Sequence, residues 1–153
     1  MAAGRPHTEP EPVVVIDTRE QRPYAFPRSV VRTLSSGDYS IEGYETVVAI
    51  ERKSKEDAYG TIGGGRERFH REVERLAGYD YAAIVVESSL PAFLKPPPYS
   101  QLHPNAAIGT LLSWSVRYRL PVLFAGDREH AQAATHHLLK RFAWYAQEGT
   151  LVR

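Results

Sequence analysis

Apolar residues along the chain fall into short blocks, and their spacing changes from continuous or alternating in the first third to helical after residue 53. Val13–Ile16 is an unbroken β-branched run closed by Asp17, the pattern of a strand buried on both faces. Residues 18–27, which include Pro23 and Pro27, read as a loop. Val30–Leu34 reads as a second strand, followed by the turn-like Ser35-Ser36-Gly37. Asp38–Ile41 and Thr46–Lys53 read as the two strands of a hairpin joined around Gly43.

Beyond Lys53 the period is that of helices. Ser54 suits an N-cap with Asp57 in the capping-box position, and Gly63-Gly64-Gly65 ends that helix. Phe69, Val73 and Leu76 recur at i, i+4, i+7, with Arg66, Arg68, Glu72 and Arg75 on the other faces, predicting a second helix. Tyr81–Val86 is another buried strand, closed by Glu87. A proline-rich stretch over residues 90–104 reads as a loop, long enough to be mobile or functional. Asn105 is placed to cap a helix carrying Ile108, Leu111, Leu112 and Val116. Residues 121–125 read as a short strand. Gly126-Asp127 opens a closing helix with Ala131, Ala134, Leu138, Leu139, Phe142 and Tyr145 on its apolar positions. A strand cluster followed by alternating strands and helices predicts an α/β fold, a mixed central sheet flanked by helices. One domain over residues 13–147 is expected, between a flexible lead-in (1–12) and a short tail (148–153).

Composition changes this picture little. Of 153 residues, 42% are hydrophobic and 24% charged, ordinary values for a globular domain. No apolar run approaches the roughly 18 to 20 residues that span a bilayer, and the N-terminus lacks the apolar segment of a secretory signal. No membrane partner is expected, and the location reads as intracellular: cytoplasm, or nucleoid or nucleus. The absence of cysteine excludes disulfides and thiolate-bound zinc. A net charge of +1 neither supports nor opposes a nucleic-acid partner, because an acidic site can offset basic residues elsewhere.

The chemistry concentrates in residues 46–53. Side chains alternate along a strand, so Val47, Ala49, Glu51 and Lys53 project one way and Val48, Ile50 and Arg52 the other. A carboxylate and an ammonium then share one face at the sheet's edge, with Asp38 on the neighbouring strand. Two carboxylates converging with a lysine suit phosphodiester cleavage. Hard oxygen ligands hold Mg²⁺ or Mn²⁺, which activates water and offsets charge on the phosphate. The lysine adds positive charge beside the attacking water. A lone Glu-Arg-Lys run is ordinarily a solvated strand end, and a Gly-Asp pair an ordinary turn; only the combination carries the chemistry. His136 and His137 lie about 100° apart on a helix and form no metal pair, and His70 and His130 read as surface residues. Trp114, Trp144 and Tyr118 read as core or interface rather than base-stacking platforms.

Gly37-Asp38, Glu51-Arg52-Lys53 and Asp57 together spell G-D-x(n)-E-R-K-x-x-x-D. This resembles the nuclease domain of the XPF-type structure-specific endonucleases, a branch of the restriction-endonuclease-like fold. Asp17-Thr18-Arg19-Glu20, Gly65-Arg66 with Phe69, and Glu87 extend the resemblance over roughly Val13–Tyr145. It implies metal ligation by Asp38 and Glu51, with the Arg52 backbone carbonyl contributing. Lys53 would be the catalytic lysine. Asp17 would lie at the metal directly or through water, and Asp57 would support the site. Arg19, Glu20, Arg52 and Arg66 would face phosphate or stand behind the ligands. Plainer readings stay open: Asp57 as a helix cap, Arg19 and Glu20 as an ion pair, Gly63–Gly65 as a linker. Arg66, at a helix N-terminus, is placed to meet phosphate.

The resemblance also implies a homodimer or a partner subunit, with Leu111, Trp114, Phe142 and Tyr145 offered as an apolar interface. No helix-hairpin-helix domain is expected in the chain. The expected function is a metal-dependent DNA endonuclease acting near duplex–single-strand junctions in branched DNA, in repair or recombination. Alternatives are a catalytically silent DNA-binding or dimerising module, and a nuclease without junction preference.

Overall fold

A computed structural model describes residues 10–152. The lead-in expected over residues 1–12 falls outside the described residues for positions 1–9, and so does the final residue of the expected tail. The elements run β1 (Val14–Asp17), β2 (Ser29–Arg32), β3 (Tyr39–Ile41), β4 (Val48–Lys53), α1 (Lys55–Gly63) and α2 (Arg66–Ala77). They continue with β5 (Tyr81–Val86), α3 (Leu90–Phe93), α4 (Pro104–Arg117), β6 (Val122–Phe124) and α5 (Arg128–Glu148).

The strands form one sheet in the order β2-β1-β3-β4-β5-β6. β1 pairs in parallel with β2, and β4 with β5 and β5 with β6 likewise; β3 runs antiparallel to both β1 and β4. The expected mixed α/β sheet is therefore present. Helices cover both faces, which is why β1, β4 and β5 read as near-continuous apolar runs. On one face Ala49, Ile84 and Val86 pack against Tyr59 of α1, Phe69 and Leu76 of α2, and Leu111 of α4. On the other, Ile16, Tyr39, Ile50 and Val85 pack against Leu139 and Phe142 of α5. Each such side chain contributes roughly 1.5–3 kcal/mol by leaving water.

Several boundaries differ from the sequence pattern, each for a local reason. The second strand ends at Arg32, because Leu34 turns inward to full burial and its N–H donates to Asp17 Oδ1. Val47 joins the α5-side core, because it still belongs to the turn, its N–H donating to the Tyr44 carbonyl, and alternation begins only at Val48. The proline-rich stretch contains a helical turn, α3, capped by Ser89 and anchored by buried Phe93. The cap of α4 is His103, whose Nδ1 accepts from the Asn105 N–H, with Pro104 in the first helical position; Asn105 lies inside the helix. His70 is half-buried and stacks on Trp114. Leu111, Trp114 and Phe142 belong to this chain's own core and supply no interface; Tyr145 alone of that set is substantially exposed.

Gly37 leads into β3 with φ of +78°, and a Cβ built there would lie 2.8 Å from the Ala49 Cβ. Two constraints thus demand glycine: a left-handed backbone and a turn pressed onto β4. Gly37→Ala is expected to lower stability by about 1–3 kcal/mol, seen as a reduced urea midpoint with an unchanged m-value.

Candidate active site

β1, β4, β5 and β6 all run in one direction, and β3 opposes them. The C-terminal ends of the parallel strands and the start of β3 therefore meet at one edge. Asp17, Glu51-Arg52-Lys53, Glu87 and Asp38 all lie there, where α/β sheets ordinarily bind ligands. The N-terminus of α1 follows directly from β4, with Ser54 Oγ accepting from the Asp57 N–H.

The register of β3 on β4 pairs Tyr39 with Ile50. One residue further the ladder changes character. The Asp38 N–H still donates to the Ile50 carbonyl, at 2.9 Å, but the Arg52 N–H donates to the Asp38 carboxylate, at 2.7 Å. Asp38 is thus held by the same strand that carries Glu51 and Lys53. Both of those side chains are buried, with the Lys53 ammonium 3.7 Å from Glu51 Oε1. The same ammonium lies over the Phe69 ring, 4.3 Å from its centroid.

A fourth group completes this pocket. Glu72, half-buried on α2, accepts a hydrogen bond from the Gly37 N–H at 3.2 Å. The sequence pattern assigned it to an outward face. Its spacing, three residues after Phe69 and four before Leu76, puts it at the border of the buried stripe. That spacing is the signal by which it was detectable.

The pocket is short of positive charge. Burial, then the Glu20 carboxylate, push the Asp38 carboxyl up to about 7. Burial, then Asp38 and Glu72, raise Glu51 well above the usual carboxylate range. Glu51 Oε2 is buried with no hydrogen-bond partner. An orphaned carboxylate oxygen among other acids is what a bound cation would satisfy, and an all-oxygen donor set suits a hard divalent ion. Among the described residues no three such side chains converge as a cluster able to hold a metal. Asp38 and Glu51 therefore fit as a two-carboxylate site completed by water, a backbone carbonyl or substrate oxygens, which is how Mg²⁺ is commonly bound.

The opposite face of β4 carries a second charged network. Arg52 meets Glu87 through two hydrogen bonds, of 3.0 and 3.1 Å, and reaches Glu20 at 3.4 Å. Tyr24 donates its hydroxyl to Glu87 at 2.5 Å, and Tyr39 donates its own to Glu20 at 2.9 Å. Although burial opposes it, these bonds from Arg52 and Tyr24 hold the Glu87 carboxyl below its ordinary range. Arg128, at the start of α5, lies over the Tyr24 ring and donates to the carbonyls of Arg22 and Pro23. The long loop after β1 is thereby pinned beside the site. A cleft of about 660 Å³ opens on this side, lined among others by Arg19, Glu20, Arg52, Asp57 and Arg128.

The remaining candidates are placed as follows. Both oxygens of Asp17 are engaged, by Arg19 Nε at 2.8 Å and the Leu34 N–H at 2.9 Å. Despite burial, those bonds keep its carboxyl below the usual value. Arg19 and Glu20 do not pair with each other; Arg19 takes Asp17, and Glu20 takes Tyr39 and Arg52. Asp57 is exposed in the first turn of α1 and lines the cleft without joining Asp38 and Glu51. Arg66 turns toward α4, its guanidinium 3.1 Å from Thr110 Oγ1 and over the Trp114 ring.

A mixed sheet flanked by helices, with a Gly-Asp turn and a Glu-x-Lys strand end meeting at one edge, defines a restriction-endonuclease-like fold. Within that class, the chain matches the ERCC4 domain family over residues 16–138, and it belongs to that family. Among solved structures it is similar to XPF from Aeropyrum pernix, with 20% identity and a TM-score of 0.68, over 86% of this chain and 65% of that one. It is also similar to XPF from Aeropyrum pernix in complex with DNA, with 21% identity and a TM-score of 0.66, over 88% and 66% of the two chains. The chain thus spans just under two thirds of the length of either structure. No curated protein sequence matches it.

Two stability measurements follow from these charges. A carboxyl whose folded pKa lies above its unfolded value favours folding while protonated. For Asp38 that contribution is present below 3.8 and lost as pH rises through about 7. In chelator, the melting temperature is expected to fall between about pH 5 and pH 7.5, and Asp38→Asn to flatten the slope. Exposed His130, raised by Asp127, drifts the same way, so the difference between wild type and variant is diagnostic. Equal slopes would contradict the assignment. Separately, Glu87→Ala leaves Arg52 half-satisfied. It is expected to lose up to about 3 kcal/mol in urea denaturation, the low end for a buried pair, because Glu20 remains.

Proposed function

We propose that the chain is a divalent-metal-dependent DNA endonuclease whose centre is Asp38, Glu51 and Lys53. The observation that carries this reading is the buried, unpartnered Glu51 Oε2 beside Asp38, with the Lys53 ammonium 3.7 Å from Glu51 Oε1. Membership of the ERCC4 nuclease family and a fold similar to a DNA-bound XPF support the choice of DNA as substrate.

Mg²⁺ or Mn²⁺ bound at these carboxylates would activate water and offset charge developing on the phosphate. Asp38 and Glu51 would hold the ion, with the Arg52 carbonyl as a further oxygen donor, and Asp17, whose two oxygens already accept from Arg19 and the Leu34 N–H, would reach it through water. Lys53, braced by Phe69 and Glu51, would set its ammonium beside the attacking water and the phosphate. Arg19, with 70% of its side chain exposed, has guanidinium surface free to meet a phosphate beside the cleft, and Arg66 stands further off at α2. Asp57 contributes its charge to the cleft wall.

Branched DNA near duplex–single-strand junctions, in repair or recombination, is the substrate we assign. A second copy or partner subunit would complete the grip; exposed Leu112 and Val116 on α4 and Leu123 on β6, an edge strand, offer it an apolar side. No helix among the described residues is long and apolar enough to cross a membrane.

Labelled flap, fork and linear duplexes incubated with Mn²⁺ or Mg²⁺ test the proposal. Cleavage is expected with metal and none in chelator, and Asp38→Ala and Lys53→Ala should each lose on the order of 10²-fold or more in rate. Absence of cleavage on every substrate, or full activity in Asp38→Ala, would overturn it. Equal rates on flap and linear DNA would remove the junction preference alone.

A further inference from the structure

Helix α2 touches the catalytic centre at three points along one of its sides. Phe69 underlies the Lys53 ammonium, Glu72 accepts from the Gly37 N–H, and Arg75 Nε donates to Ser36 Oγ at 3.1 Å. These residues stand at i, i+3 and i+6, the spacing that places side chains on one helical stripe. Phe69 itself, with Val73 and Leu76 around the same helix, is buried, so α2 presents the stripe from a fixed position.

Gly37 is the residue before Asp38, and its left-handed φ is one of many backbone conformations open to glycine, so contacts from outside the turn select it. The Gly37 peptide is pressed onto Ala49 on one side and bound by Glu72 on the other. We propose that Glu72 is a positioning residue for the metal centre, fixing the Asp38 carboxylate through the Gly37 N–H, with Arg75 and Ser36 as its support. The proposal rests on the nuclease reading above and deepens it. Glu72 acts through a hydrogen bond that its amide counterpart can also accept, because the glutamine side chain retains a carbonyl oxygen. That separates positioning from direct ligation by charge.

The test compares wild type, Glu72→Ala and Glu72→Gln without DNA. Mn²⁺ affinity is measured by titration calorimetry, and protection of the Gly37 amide by hydrogen exchange. Glu72→Ala is expected to bind Mn²⁺ about 10- to 100-fold more weakly and to lose Gly37 protection. Glu72→Gln should stay within about threefold of wild type, well short of that loss, and keep the protection. Wild-type affinity in Glu72→Ala would overturn the proposal. An equal loss in both variants would also overturn it, by making Glu72 a ligand through its charge. A wild-type protein that binds no Mn²⁺ would instead sink the nuclease reading, and this inference with it.

Discussion

The whole arrangement depends on one constraint: β4 carries three consecutive ionisable side chains into the covered edge of a sheet. Glu51 and Lys53 leave one face and Arg52 the other, and all three are largely removed from water. Buried charge is tolerated only when it is paired or hydrogen-bonded. The two faces meet this demand differently. Arg52 is fully accounted for by Glu87, Glu20 and the stacked Tyr24 and Tyr39. Glu51 is not, and its second oxygen stays without a partner. One face pairs its buried charges with opposite ones; the other leaves a carboxylate oxygen without a partner among acids.

The paired network has a mechanical consequence. Glu87 continues β5, and its N–H donates to the Lys53 carbonyl, so the Arg52 clamp and the Lys53 strand end are tied in the same place. Arg128 then links that clamp to α5 and to the loop after β1. Glu20 and Arg19 sit on this loop. Exposed Arg19, which we propose meets phosphate, is therefore carried by a segment without regular structure, held by side chains from three elements. A rigid scaffold presenting loop residues is the usual division of labour in a binding site.

Much of this was legible in the sequence. The continuous apolar runs of β1, β4 and β5 announced strands covered on both faces, and the covering helices showed the period that goes with it. Strand alternation put Glu51 and Lys53 together and Arg52 apart, as found from Val48 onward. Gly37 and Asp38 marked a tight turn, and the positive φ at Gly37 gives the physical reason for glycine there. Errors came where short-range patterns compete. His103 displaced Asn105 as a cap because Pro104 pre-sets the first helical residue. Phe93 nucleated a helical turn inside what reads as a loop.

The sequence by itself determined which residues share a face and where the turns fall, because both follow from local backbone geometry. It also carried the Gly-Asp and Glu-Arg-Lys signature. Only the tertiary structure decided what lies opposite each face. Glu72 meets Gly37 across 35 positions, and Tyr24 meets Glu87 across 63. Asp17 is turned onto Arg19 and Leu34, and Asp57 is left outside the carboxylate pair. Periodicity says that a side chain points inward; it holds no information about which distant helix will be there to receive it.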